Sequence, residues 1–192
     1  MSAPPLILAS QSPRRKALLE LIGVTPDQII PADIDEAELK GEKPEVYVTR
    51  LAREKALHVA GQNPHALVLG SDTAVAVGRR ILPKTEDEQS ARFCLELLSG
   101  RSHRVFSGVA VVKPGGDVMS RVCETRVKVR SLDRSAIDNY IASDEWRGKA
   151  GGYAIQGLFA KHIVQLIGSH SNVVGLPLYE TYNLLTGAGW SK

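Results

Sequence analysis

The chain alternates between short apolar runs and segments whose apolar residues recur at helical spacing. Residues 6–9 form an apolar run that breaks at Ser10–Pro13, and the spacing after the break is helical. Ser12 stands at the N-cap position, Pro13 at the first helical position and Gly23 at the stop. The pattern therefore predicts a strand, a tight turn and a helix.

A second helix is predicted to begin at Pro44, and it carries an unusual lysine. Tyr47, Leu51 and Lys55 recur every four residues, so Lys55 shares the stripe expected to face the interior. For a single lysine, the simpler interpretation is an apolar stem on the core with the ammonium in water. The alternative is a lysine whose charge serves a site.

The rest of the chain mixes strands, hairpins and helices. An apolar strand at residues 66–69 is predicted to end at Gly70–Thr73, resume at 74–77 and turn back at Gly78. Two alternating segments, 105–112 and 118–129, flank the hairpin signal Pro114–Asp117. Further helices are predicted before Gly100, after Asp133 and after Pro177, with a strand at 163–167. Interspersed helices and hairpins favour an α/β or mixed α+β fold around a mixed sheet.

Length and composition exclude several classes. The 192 residues are 43% hydrophobic and 23% charged, which is typical of a folded globular chain, and we expect one domain spanning residues 1–192. The net charge of +3 and ten aromatic residues argue against a primary nucleic-acid role. No run is long enough to span a membrane, and the first residues lack the features of a signal peptide. Cys94 and Cys123 lack CxxC spacing, so reduced thiols and a cytoplasmic location are expected. A homodimer is the default for such chains.

The pair Arg14–Arg15 is the first candidate for chemistry. Two cations in a first helical turn face the positive end of the helix dipole, which is unfavourable by about 0.3–1 kcal/mol each when exposed. An anion at the helix N-terminus would reverse that sign, because backbone N–H groups, the Ser12 hydroxyl and both guanidinium groups could contact it. The alternative is that both side chains bend back into solvent.

Carboxylates supply the second group of candidates. Asp72 is expected just beyond the end of a buried strand, where it needs a metal, a lysine or hydrogen bonds as partner. Asp35 and Glu36 could offer oxygen ligands to Mg²⁺, although an acidic loop is more often merely solvated. Together with Lys55, Lys84 and the glycine-rich segment 148–157, these residues describe a polyphosphate site.

The same residues resemble the Maf family of nucleoside triphosphate pyrophosphatases. The matching segments run in order along the chain: Leu8–Arg15, Asp33–Glu36, Tyr47–Val48, Arg50–Ala56, Gly70–Thr73, Leu98–Gly100 and Lys149–Gly157. The resemblance implies a two-lobed fold around a deep cleft, similar to inosine triphosphate pyrophosphatases. It also implies divalent-metal hydrolysis, with Mg²⁺ or Mn²⁺, between the α- and β-phosphates of a nucleoside triphosphate.

The resemblance also implies a role for each candidate residue. Asp72 corresponds to the proton acceptor, and Glu36 with Asp72 to the carboxylates nearest the metal. The substrate-binding positions comprise phosphate contacts and base-specifying residues: Ser10, Arg15, Lys55 and Lys84 for phosphate, and Arg14, Thr73 and Gln156 for the base. The match departs from the family at Leu82–Thr85, where Lys-Pro is usual and Pro83 instead precedes Lys84.

Arg14 and Gln156 make the chain similar to the branch that acts on dTTP and UTP. A uracil or thymine edge offers N3–H beside O4, and a Gln amide supplies the matching acceptor and donor. The 7-methyl-GTP branch tends to carry an aromatic residue and an acid at these positions. Besides a 7-methyl-GTP pyrophosphatase, the alternative kept open is a non-catalytic regulator that acts on division or on RNA.

Overall fold

The computed structural model describes residues 4–191, which form a mixed α/β structure. Residues 1–3 and 192 of the predicted single domain lie outside the described part. Residues 4–191 contain six α-helices and nine strands in this order: β1 Leu6–Ala9, α1 Pro13–Leu21, β2 Gln28–Ile29, α2 Pro44–Gln62, β3 Leu67–Val77, β4 Arg80–Leu82, β5 Lys84–Thr85, α3 Glu88–Leu98, β6 Ser102–Val112, β7 Val118–Val129, α4 Arg134–Ile141, β8 Lys149–Ala150, β9 Ile163–Ile167, α5 His170–Val174 and α6 Leu178–Gly187. A 3-10 helix, Leu158–His162, precedes β9.

A seven-stranded mixed sheet forms the centre of the molecule. Its strand order is β2-β1-β3-β6-β7-β9, and β4 pairs with the far end of β3. β1 is parallel to both of its neighbours, whereas β3, β6, β7 and β9 are joined by antiparallel pairing. The mixed sheet expected from the interspersed hairpins is confirmed.

Strand β3 corrects one expectation from the sequence. The segment Gly70–Thr73 was predicted to interrupt the strand and leave Asp72 beyond its end, but β3 runs without a break from Leu67 to Val77. Nine consecutive residues of β3 pair with β6, and Asp72 lies opposite Gly108. This long-range pairing overrides the turn propensity of Gly, Ser and Asp.

The other side of β3 has a gap in its pairing. β1 accompanies β3 only as far as Gly70, and β4 joins it only from Val75 onward. Ser71–Ala74 therefore have neither β1 nor β4 beside them. Asp72 and Thr73 lie in this gap, and their side chains point to opposite faces of the sheet because strand residues alternate.

Two glycines allow helix α2 to approach the face that carries Asp72. A Cβ atom at Gly70 would collide with the carbonyl oxygen of Ala52, and one at Gly108 with that of Val48. The helix therefore lies against adjacent strands with almost no side chain between them. This close approach brings Lys55, one turn beyond Leu51, to the level of Asp72.

A smaller lobe covers the end of the large sheet. In it β5 pairs with β8, and α3 and α4 pack around a core that includes Trp146 and Phe159. The deep cleft opens between this lobe and the turn from β1 to α1. None of the helices in residues 4–191 is long and apolar enough to cross a membrane.

Candidate active site

The cleft gathers the residues predicted to carry the chemistry, with the exception of Asp35, which does not line it. Its volume is about 660 Å³, which lies in the usual range of ligand sites. The β1–α1 turn and the end of α5 form one wall, and residues 147–156 form the other. The predicted site residues that line it come from six separate stretches of chain: Ser10, Arg14, Arg15, Glu36, Lys55, Asp72, Thr73, Lys84 and Gln156.

Lys55 lies between two carboxylates at the floor of the cleft. Its Nζ is 2.6 Å from Oδ1 of Asp72 and 2.6 Å from Oε1 of Glu36. Lys55 is 6% exposed and Asp72 is 4% exposed, so the ammonium does not reach bulk water. The simpler interpretation of Lys55 as a lysine with its charge in water is therefore wrong, and the helical stripe correctly marked it as unusual.

Glu36 joins the two lysines of the site. Its Oε2 accepts a hydrogen bond from Lys84 at 2.7 Å, while Oε1 faces Lys55. Partial burial disfavours the ionised carboxylate, but the bonds from both lysines outweigh burial and lower the pKa of Glu36 to about 2. The loop around Glu36 is held by Tyr47, whose hydroxyl donates to the Glu36 carbonyl oxygen at 3.0 Å.

The altered sequence around Lys84 does not remove it from the site. Pro83 precedes the short strand β5, and Lys84 remains exposed with its ammonium on Glu36. Thr85 is fully buried, and its hydroxyl donates to the carbonyl oxygen of Trp146 at 2.7 Å. The departure from the family pattern therefore fixes β5 to the small lobe and leaves the lysine facing the cleft.

The two arginines lie on the opposite wall and are half-buried. Arg15 donates from Nε to the Gly175 carbonyl oxygen at 2.9 Å, and from Nη1 to the Ser10 hydroxyl at 3.0 Å. Arg14 donates from Nε to the Val174 carbonyl oxygen at 3.4 Å. Neither side chain bends back into solvent, and burial lowers the pKa of both guanidinium groups.

Ser10, Ser12 and Thr73 complete this wall. The Ser10 hydroxyl accepts from the Ser12 N–H at 3.2 Å as well as from Arg15. Ser12 is the N-cap of α1, as predicted, but its own hydroxyl makes no capping bond. Thr73 accepts from Arg15 Nη2 at 3.4 Å, which connects the arginine to the part of β3 that pairs with neither β1 nor β4.

Gln156 reaches the cleft from the glycine-rich segment of the small lobe. Its side chain is exposed at the rim, whereas the three residues before it are buried. Tyr153 forms a 2.7 Å hydrogen bond with Nε2 of His103, and Ala154 donates its N–H to the Tyr140 hydroxyl at 3.0 Å. These bonds fix the backbone that presents Gln156.

Lys149 and Arg147 also line the cleft, and no sequence pattern marked either residue as a candidate. Lys149 is half-buried, and burial together with the nearby charge of Arg14 lowers its pKa. Its ammonium donates to the Arg147 carbonyl oxygen at 2.9 Å. A lysine in a short exposed-looking segment gives no periodic signal, so only its position beside the glycine-rich motif could have marked it.

Comparison with known proteins identifies close relatives. The profile of the family described as "Maf-like protein" matches residues 5–188. A protein of Maricaulis maris named dTTP/UTP pyrophosphatase is 58% identical over 187 residues, covering 97% of this chain and 89% of that protein. A protein of Caulobacter vibrioides with the same name is 54% identical over 189 residues, covering 98% of each chain.

A solved structure shares the fold at much lower sequence similarity. The Staphylococcus aureus Ham1 protein aligns with a TM-score of 0.52 and 14% identity, covering 95% of this chain and 96% of that one. At this identity the likeness concerns the fold alone. It agrees with the mixed sheet and cleft that the resemblance implied.

Proposed function

Because the chain belongs to the Maf family, we propose that it hydrolyses dTTP and UTP to the nucleoside monophosphate and pyrophosphate. Relatives that carry this activity in their names are 54% and 58% identical over nearly the whole chain. The observation that carries the proposal is the meeting of Lys55 with Asp72 and Glu36 across a cleft from Arg14 and Arg15. A polyphosphate needs this combination of cations and carboxylates.

The cationic side chains bind the triphosphate in this proposal. The cleft is lined by six basic and three acidic side chains, and this excess of three positive charges equals the net charge of the whole chain. Arg15, Lys55 and Lys84 contact the phosphates, and the Ser10 hydroxyl supports Arg15 at the N-terminus of α1. The charges stabilise the departing pyrophosphate as negative charge builds up on it.

The carboxylates of Glu36 and Asp72 would hold a divalent cation, Mg²⁺ or Mn²⁺. Oxygens from both already converge on one positive group, the ammonium of Lys55, so their placement fits a hard cation. Within the described residues no group of three or more His, Cys, Asp or Glu side chains is placed to hold a metal. Two carboxylates suit an ion that takes its remaining ligands from water and the phosphates. Such an ion neutralises phosphate charge and lowers the pKa of a bound water.

Asp72 accepts the proton of the attacking water. Among the described residues, Lys55 donates a hydrogen bond to Oδ1 of Asp72. This leaves Oδ2 for the water. The water oxygen forms a bond to the α-phosphorus while the bond from that phosphorus to the β-bridging oxygen breaks. The proton passes to Asp72, and the electron pair of the broken bond leaves with pyrophosphate.

Gln156 reads the base, together with Arg14 and Thr73, which line the same cleft. Its amide oxygen accepts from N3–H of uracil or thymine, and its amide nitrogen donates to O4. The exposed position at the cleft rim leaves both atoms of the amide available to a ligand. A carboxylate there would accept from guanine instead, which is the basis of the 7-methyl-GTP alternative.

The decisive experiment measures pyrophosphate release from a panel of nucleoside triphosphates with Mg²⁺ and with Mn²⁺. We expect turnover of dTTP and UTP, and loss of at least about 100-fold in Asp72→Asn, as general-base catalysis contributes about 10²–10⁴-fold. Asp117→Asn, an exposed aspartate in the β6–β7 hairpin, is the matched control and retains full activity. Near-normal turnover by Asp72→Asn would refute the assignment.

The same panel separates the alternatives. Preferential turnover of 7-methyl-GTP would favour the other branch of the family. Salt-sensitive RNA retention without turnover of any nucleotide would favour the non-catalytic regulator. The local origin of the charge excess argues against a diffuse nucleic-acid surface.

Three further properties belong to the proposal. Cys94 and Cys123 are free thiols, which suits the reducing cytoplasm. The chain acts as one domain over residues 1–192. It forms a homodimer, the commonest arrangement for soluble oligomers, which light scattering of the purified protein tests directly.

A further inference from the structure

A buried polar cluster lies directly behind the arginine wall of the cleft. It consists of Ser107 on β6, Thr125 on β7 and Asn172 on α5, and each of the three is 0% exposed. Polar side chains are expensive to bury without hydrogen bonds. None of the three is among the residues proposed to bind the triphosphate, the metal or the attacking water.

Asn172 ties the end of helix α5 to two strands of the sheet. Its Nδ2 donates to the Val105 carbonyl oxygen at 3.1 Å and to the Thr125 hydroxyl at 2.9 Å. Its backbone carbonyl oxygen accepts from the Ser107 hydroxyl at 3.2 Å. A helix of five residues has little stability of its own, so these bonds fix where its last turn lies.

The residues that follow Asn172 hold both arginines. The carbonyl oxygens of Val174 and Gly175 accept from Arg14 Nε and Arg15 Nε. The two carbonyl oxygens that accept from the guanidinium groups thus lie two and three residues after Asn172. A displaced α5 would move both acceptors at once.

Ser107 reaches Arg15 by a second route. Its hydroxyl lies 2.8 Å from that of Thr73, and either oxygen can donate in this bond. Ser107 is also placed to donate to the Asn172 carbonyl oxygen at 3.2 Å, and Thr73 to the Gly175 carbonyl oxygen at 3.3 Å. Thr73 accepts from Arg15 Nη2 at 3.4 Å. Hydrogen bonds therefore connect Arg15 through Thr73 and Ser107 to the Asn172 carbonyl.

We propose that Ser107 and Asn172 are positioning residues for the pyrophosphatase reaction, which fix Arg15 in the orientation that binds the triphosphate. The inference rests on the proposed function. Neither residue touches the cleft, since neither lies among the residues that line it. They act through the end of α5 and through Thr73.

The first test compares Ser107→Ala with Ser107→Cys. The alanine variant removes the hydroxyl without adding volume, and the cysteine keeps a weaker donor of similar shape. We expect binding of the α,β-imido analogue of UTP with Mg²⁺ to weaken by about 2- to 10-fold in Ser107→Ala, with Ser107→Cys between it and the wild type. The KM for UTP rises in the same order, more than kcat falls.

Ser99→Ala is the matched control. The Ser99 hydroxyl accepts from the Leu132 N–H at 2.8 Å, and Ser99 is absent from the cleft lining. It therefore loses a comparable internal hydrogen bond and a comparable amount of thermal stability. We expect its affinity for the analogue to equal that of the wild type, and an equal weakening in both variants would overturn the proposal.

A spectroscopic test needs no nucleotide. The ¹⁵N-labelled Nε–H signal of Arg15, assigned by its disappearance in Arg15→Lys, reports the bond to the Gly175 carbonyl oxygen. In Ser107→Ala we expect this signal to shift or broaden, and in Ser99→Ala to stay in place. An unchanged signal in a folded Ser107→Ala protein overturns the positioning role. If instead the wild type fails to hydrolyse dTTP and UTP, the proposed function fails while this signal still tests the hydrogen-bond route.

Discussion

Replacing Lys55 by methionine should destabilise the protein because it leaves Asp72 buried without its cation. The two side chains are 6% and 4% exposed and meet at 2.6 Å. Removing one partner of such a buried pair costs about 3–5 kcal/mol. For a chain of this length each kcal/mol lowers Tm by about 2–4 °C, so we expect a loss of about 6–20 °C in the Lys55→Met variant.

Thermal unfolding measures the fall in Tm, and urea unfolding at pH 7 in the presence of a chelator measures the loss of free energy of unfolding. Lys16→Met is the control, because the Lys16–Glu20 pair is half exposed with its atoms 3.7 Å apart, and it should change the free energy of unfolding by less than about 0.5 kcal/mol. The double variant Lys55→Met/Asp72→Asn should recover about 2 kcal/mol relative to Lys55→Met, since no isolated charge remains. Losses that simply add in the double variant would refute the reasoning.

The same variant tests whether the carboxylates can hold a divalent ion. With the ammonium gone, Asp72 and Glu36 face each other without a cation between them. We expect Mg²⁺ or Mn²⁺ to raise the Tm of Lys55→Met more than that of the wild type, because a ligand that binds only the folded state stabilises it. The absence of any metal-dependent rise in Tm in either protein would contradict the assignment of these carboxylates.

Three further outcomes follow from the geometry. Because folding lowers the pKa of Glu36 from 4.5 to about 2, its stabilisation is complete above pH 4.5 and is lost as the pH falls towards 2. After allowance for solvent screening this amounts to about 1 kcal/mol, and acid titration of unfolding should show it in the wild type but not in Glu36→Gln. Gly70→Ala should lower stability by about 3 kcal/mol or more, because the new Cβ meets α2, whereas Gly61→Ala, with open space around it, should be neutral or stabilising in thermal unfolding. Gln156→Glu should reduce the turnover of UTP and dTTP relative to guanine nucleotides, and an unchanged substrate ratio would refute base reading by Gln156.

Much of the fold could be predicted because its signals are local. Pro13 and Pro44 begin helices, Asp133 accepts from the Ala136 N–H as an N-cap, and the Pro114–Asp117 hairpin joins β6 to β7. Each depends on the chemistry of a few adjacent residues. The continuity of β3 could not be predicted in this way, because pairing with β6, more than thirty residues away, decides it.

The candidate site likewise combines residues marked by local sequence signals with contacts that depend on long-range packing. The inward stripe marked Lys55 and the helix dipole marked the two arginines, since both arguments use residues within two turns. The bridge from Asp72 through Lys55 to Glu36 depends on the approach of α2 to β3 and on a loop without regular structure. Ser107 and Asn172 carry no sequence signal at all, because a serine in a strand and an asparagine near a helix start are common in any fold.

The unpaired edge of β3 between β1 and β4 explains why the residues marked by these separate signals meet at one place. Where β1 ends and β4 has not begun, Asp72 points to the α2 face and Thr73 to the face that carries α5. Asp72 can therefore contact Lys55 while Thr73 contacts Arg15. Two adjacent residues thus contact both the lysine and the arginine side of the cleft. A continuous strand at this position would separate the two faces of the sheet. The missing pairing between β1 and β4 is therefore the structural condition that allows the carboxylates and the arginines to face one ligand.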